Sequence, residues 1–144
     1  MTKPLRQLRT VARVKSHLEK KSQRELAEIQ EQQQEEAGRL ESLHRTKENA
    51  LQETSAILKA RATELQTSYA FLQSLARQIQ RQHKKLEAIR QLEESKKAEL
   101  LQRKQSREMI EELVEKRLAH ENKERERKEQ RLLDVLAHRI RWGF

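Results

Sequence analysis

The chain of 144 residues has no cysteine, one proline, two glycines and only 3% aromatic residues. Without cysteine there is no disulfide and no thiolate nucleophile or metal ligand. Proline costs a helix interior about 3 kcal/mol and glycine about 1 kcal/mol relative to alanine, so their near-absence leaves little to interrupt a helix. Past Pro4 the single breaker before Gly143 is Gly38. The punctuation that marks loops and strands is missing. With so few aromatics, the large anchors of a compact core are scarce as well. No apolar run approaches the roughly 20 residues of a membrane span. The basic start MTKPLRQLRTVARVK lacks the apolar stretch of a secretory signal, so the expected location is cytoplasmic.

What is present is charge and a thin line of aliphatic residues. Charged residues make up 38% and hydrophobic ones 34%, too lean for a thick globular core. The formal net charge is +9, and it is segmented along the chain. Residues 1–24 set eight Lys/Arg against Glu19, whereas residues 25–60 hold four basic and eight acidic side chains. Leu5, Leu8, Val11, then Val14 or Lys15, and Leu18 follow the three-then-four spacing of a helical seam. The seam weakens over 19–25 and returns at Leu26, Ile29, Ala37, Leu40, Leu43 and Leu51. A second series runs through Leu65, Leu72, Leu75, Ile79, Leu86, Ile89 and Leu92, weakens over 93–99, and resumes from Leu100 to Leu118.

Between the two series, residues 54–68 are rich in Thr, Ser and Ala, with Thr54, Ser55, Thr63 and Ser68 as cap or turn residues. Folding the chain back there pairs positions whose numbers add to roughly 120. The weak stretch 19–25 then faces the weak stretch 93–99. Glu31, Glu35 and Glu36 face Arg81, Lys84 and Lys85, and Ile29 meets Ile89 and Leu92. The expected fold is all-α: a long two-helix antiparallel coiled-coil hairpin with an overhanging C-terminal helix, in one domain spanning 1–144. Helix one is expected over about 5–53, the connection over about 54–66 and helix two over about 67–141. Each paired arm would measure about 75 Å at about 1.5 Å per residue. Such a chain reads as a rod that bridges partners, and alone as an elongated monomer.

Catalytic signals are absent: no Gly-rich phosphate loop, no GxSxG, no HExxH. His17, His44, His83, His120 and His138 are scattered, none at metal-ligand spacing to another. Neither an enzyme nor a metal or cofactor site is expected. Specific nucleic-acid binding is disfavoured, because the densest basic runs carry no aromatic to stack on bases. Two apolar features remain. Beyond a polar stretch at 119–131, Leu132, Leu133, Leu136, Ile140, Trp142 and Phe144 form a face without an internal partner. Tyr69, Phe71, Leu72 and Leu75 cluster at the expected tip, either capping the coiled coil or forming a contact patch.

Three segments carry a family resemblance. ATELQTSYAFLQSLARQIQRQHKKLEAI (62–89) resembles the central segment of FliJ-type proteins, the small coiled-coil component of flagellar type III export. LRQLRTVARVKSHLEKKSQRELAEIQ is similar to the opening of FliJ and of its virulence-system relative YscO, and KERERKEQRLLDVLAHRIR to the family's charged C-terminal helix. Arg141-Trp142-Gly143-Phe144 departs from the family pattern. The resemblance implies a non-enzymatic central stalk, peripheral to the inner-membrane export apparatus. Its partners would be the hexameric export ATPase, the cytoplasmic domain of the export gate and, for some members, export chaperones. Mapped onto this sequence, the ATPase-facing pole would comprise Arg6, Arg9, Arg13 and Lys15 with Leu132, Leu136 and Ile140. Tyr69, Phe71 and Leu75 would face the gate. The competing class is a generic coiled-coil scaffold or dimerising adaptor.

Overall fold

A computed structural model of the chain describes residues 2–56 and 62–143 and contains two α-helices, α1 (Lys3–Ala56) and α2 (Ala62–Trp142). The residues between them, 57–61, fall within the expected connection and lie outside the described residues. No strand occurs among the described residues, and the two helices pack against each other antiparallel, so the fold is an all-α helical hairpin. Pro4 sits in the first turn of α1, where its missing N–H has no helical partner to lose. The amide of Arg6 donates to the carbonyl of Thr2 at 3.1 Å and closes that turn. At the far end α2 stops at Gly143, whose φ of 72° provides the left-handed step that ends many helices.

The burial pattern obeys one rule along both helices. Stepping from Leu5 alternately three and four residues to Thr54, every position of α1 is buried or half-buried. The same steps from Leu65 to Glu124 give buried or half-buried positions along α2, with Arg117 the exposed exception. A strict three-four alternation averages 3.5 residues per turn, the period that keeps one stripe of a helix against a coiled-coil partner. Large aliphatic side chains fill only some of these steps. Ala12, Lys15, Glu19, Ser22, Gln33, Glu36 and Lys47 fill others on α1, and Gln82, Glu93, Lys96, Arg103 and Arg107 on α2.

The chain divides into two compact units, Ser22–Glu99 and Met1–Lys21 with Leu100–Phe144. In the first, Ile29, Ala50, Leu75, Ile79, Leu86 and Ile89 form the apolar seam. Each full burial of a Leu or Ile contributes about 1.5–3 kcal/mol. Glu36, only 3% exposed, lies within this seam. The side-chain amide of Gln82 donates to its backbone carbonyl at 3.0 Å and also to its carboxylate. Lys85 and Arg39 pair with the same carboxylate at 3.1 and 2.9 Å. Nearer the other end of the unit, Lys96 bridges Glu25 at 2.9 Å and Glu99 at 3.2 Å. Glu36–Lys85 and Glu25–Lys96 share one register, and both pairs have numbers adding to 121.

In the second unit Leu5 is fully buried, while Glu19 is buried through a pair with Arg107, which also reaches Glu111 at 2.8 Å. Arg103 donates to the carbonyl of Leu18 at 3.0 Å. Here the sequence pattern and the structure part company. Val11, expected on the seam, is 39% exposed; of the alternatives Val14 and Lys15, Val14 is 52% exposed and Lys15 takes the seam step, together with Leu5, Leu8, Ala12 and Glu19. Leu5 and Leu8 begin two interleaved seven-residue series, and only Ala12, Lys15 and Glu19 continue them at the right phase. Arg107 provides the counter-charge that makes burying Glu19 tolerable, because a desolvated charge must be paired. Leu92, Leu101, Leu113 and Leu118 likewise lie off the three-four steps of α2 and are exposed.

Two stability predictions follow from these contacts. A Cβ added at Gly38 would meet nothing within 4 Å, so Gly38→Ala should stabilise the protein by roughly 0.5–1 kcal/mol in urea unfolding; a loss would contradict an open helical site. The Glu36 carboxyl is held below its ordinary value of 4.5, first by the Gln82 hydrogen bond and then by Lys85, against the opposing effect of burial. A depressed acid stabilises the fold fully above its unfolded value and loses that contribution as pH falls through the folded one. Urea midpoints should therefore decline with acidification below pH 4.5 more steeply in the wild type than in Glu36→Gln. For Lys96, raised above 10.5 chiefly by its bond to Glu25, the sign reverses, and its contribution disappears only in strong alkali.

Candidate functional site

The residues proposed for partner binding fall on three surfaces. Arg6, Arg9 and Arg13 are spaced i, i+3, i+7, which gathers them on one face of α1. With Thr10 they line a shallow depression of about 210 Å³. Arg6 and Arg13 are exposed and Arg9 is half-buried. Thr10 turns its hydroxyl inward to the Arg6 carbonyl at 3.0 Å, leaving the guanidinium groups as the polar tips of this face. Lys15 belongs elsewhere. It occupies a seam step and lines a groove with Leu18, Gln102, Arg103 and Ser106, so its stem is part of the helix–helix packing.

From Arg125 to Gly143 every residue is exposed, although the chain stays helical to Trp142. Leu132, Leu136 and Ile140, at i, i+4 and i+8, form one stripe with exposures of 61%, 45% and 83%. Trp142 lies off that stripe and packs its ring against His138, centroids 6.0 Å apart. Phe144 is outside the described residues. The basic and apolar sets do not merge into one patch. The Thr2 hydroxyl donates to Glu121, which sets the start of α1 beside that residue, and Leu132 lies about 16 Å further along α2.

On the other unit, Tyr69 and Phe71 are 64% and 50% exposed, on either side of the seam steps Ser68 and Leu72. Leu75 is separated from them by burial: at 4% exposure its side chain is committed to the helix–helix seam and cannot be presented to a partner. The structure also makes one pairing that sequence spacing hides. His44 and His83, distant in the chain, bring their rings to a centroid distance of 5.9 Å across the two helices. Only the hairpin register could have revealed it, since each follows directly after a seam residue, Leu43 and Gln82.

Among the described residues no group of three or more His, Cys, Asp or Glu is placed to hold a metal, and no helix is long and apolar enough to cross a membrane. No curated protein and no solved structure matches the chain. A family model does: that of FliJ, described as flagellar FliJ protein, matches residues 4–142, from the first turn of α1 to the last residue of α2. With the match running through both helices and all three surfaces, the chain belongs to the FliJ family of flagellar proteins.

Proposed function

We propose that this protein is the central stalk of the flagellar export ATPase, inserting its terminal pole into the hexameric ring and reaching the export gate with its hairpin tip. Family membership makes it a component of the flagellar export apparatus, and the family's role there is non-catalytic. The finer assignment rests above all on the C-terminal stretch of α2, a helix that keeps an apolar stripe of Leu132, Leu136 and Ile140 in solvent. Exposed aliphatic side chains in a regular stripe fit a groove in another protein. Arg6, Arg9 and Arg13 add a cationic face that suits an acidic ring lining, with Lys15 holding the helix from the seam. Charged contacts of this kind steer and exchange readily, whereas tight binding would stall a turning ring.

At the tip, Tyr69 and Phe71 are the gate-facing pair, and Leu75 supports them from below by fixing α2 on α1. Aromatic side chains are enriched among the residues that dominate binding energy. Export chaperones would dock on the same protein, and the working location is cytoplasmic, peripheral to the inner-membrane apparatus. Virulence-system relatives would share the arrangement.

The ATP hydrolysis rate of the hexameric ATPase from the same organism, with increasing amounts of this protein, tests the reading. Stimulation should saturate near one chain per hexamer. Combining Arg6→Glu, Arg9→Glu and Arg13→Glu should return the rate to that of the ATPase alone while circular dichroism stays helical. An unchanged response would remove the basic face from the interface. Separately, Tyr69→Ala with Phe71→Ala should weaken binding to the isolated gate domain by roughly tenfold or more at an unaltered melting temperature. Equal affinity would show that the aromatic pair serves another purpose.

A further inference from the structure

The contact between His44 and His83 has no role in the stalk reading, and its geometry points to a chemistry of its own. We infer that these two imidazoles form a cross-helix clip for a late first-row divalent ion such as Zn²⁺ or Ni²⁺. A metal bound to an imidazole nitrogen at about 2.0–2.1 Å lies roughly 3.2 Å from the ring centre. Two rings on one tetrahedral ion therefore have centroids roughly 5.2 Å apart, and about 6.4 Å if they lie opposite each other. The observed 5.9 Å falls between these limits; the rings meet edge-on with 66° between their planes, so a bound ion requires a rotation of one imidazole to bring a nitrogen of each to a common point.

The position on the fold makes the pair a chelate. Each histidine follows a seam residue on a different helix, so the helix packing already holds the two backbones at the spacing a bridging ion needs. Such preorganisation means an ion gathers two ligands for little additional ordering. Both side chains are exposed, which gives an ion access and leaves room for water in the remaining coordination positions. Glu41 and Glu48 lie one turn to either side of His44, and Glu87 one turn beyond His83. They are too far for a three-ligand group, and Glu41 is already paired with Arg45 at 2.7 Å, which leaves Glu48 and Glu87 to offset the charge of a dication. Nitrogen donors without a carboxylate in the first shell select zinc, nickel or copper over magnesium or calcium. Because the ion would bind the paired helices and not the unfolded chain, it would act as a removable staple on the Ser22–Glu99 unit.

The test uses the full-length chain without a histidine tag. Isothermal titration with Zn²⁺ and with Ni²⁺ should give one site per chain, and each ion should raise the melting temperature, whereas Mg²⁺ should do neither. His44→Asn and His83→Asn, each alone, should weaken that site by at least about tenfold, the usual scale for losing a partner in a metal site. Acidification should weaken it too, since protons compete for the same nitrogens. His17, His120 and His138 remain in both variants and report on adventitious binding. If either variant titrates like the wild type, the ion is held at scattered single imidazoles and the clip does not exist. No binding to the wild type would reduce the contact to ring packing and equally overturn the proposal.

Discussion

Everything in this fold depends on keeping a seven-residue repeat in phase while filling many of its inward positions with charge. A two-helix coiled coil has one seam, and any side chain on it has solvent close by on both flanks. That geometry makes Glu19, Glu36, Lys96 and Arg107 tolerable where a thick core would exclude them, because each has an opposite charge across or beside the seam. The pairs also decide register. Leu or Ile could slide past one another by a heptad at modest cost, but a slide would leave the carboxylate of Glu36 without Gln82 and Lys85.

How much of this was legible in the sequence depends on which residues marked the seam. In Ser22–Glu99 half of the stripe is Leu or Ile, so Ile29, Leu75, Ile79, Leu86 and Ile89 were visible by spacing. The back-to-back pairing of Glu36 with Lys85 was also within reach, because charge complementarity repeats the message of the apolar pattern. In the other unit hydrophobicity misleads. Val11 and Val14 look like seam residues, yet the phase set by Leu5, Leu8 and Ala12 turns them outward and draws Glu19 in. A pattern of apolar residues cannot indicate a buried glutamate whose justification is an arginine some ninety positions away.

The candidate surfaces divide along the same line. Sequence picks out side chains that are unusual in type, which is why Tyr69, Phe71 and the C-terminal Leu and Ile residues stood out. It cannot tell an outward residue from an inward one three or four positions on, and so it grouped buried Leu75 with exposed Phe71. The histidine pair was illegible for a different reason: two common residues on separate helices become neighbours only when the register is known.

The exposed end of α2 carries a thermodynamic consequence for whatever it meets. Among the described residues, 125–143 are exposed throughout with no helix packed on them, so their helicity rests on propagation from the paired part and on (i, i+4) or (i, i+3) contacts such as Gln130–Asp134 and Arg127–Glu124. A segment of that kind melts and reforms on a timescale near a microsecond. A partner that accepts only the helical form loses affinity in proportion to the time the segment spends melted; a segment helical half the time weakens Kd by only about twofold. In exchange, the stripe of Leu132, Leu136 and Ile140 can be captured one turn at a time. Engagement and release can then proceed by zipping, without the whole interface having to part at once.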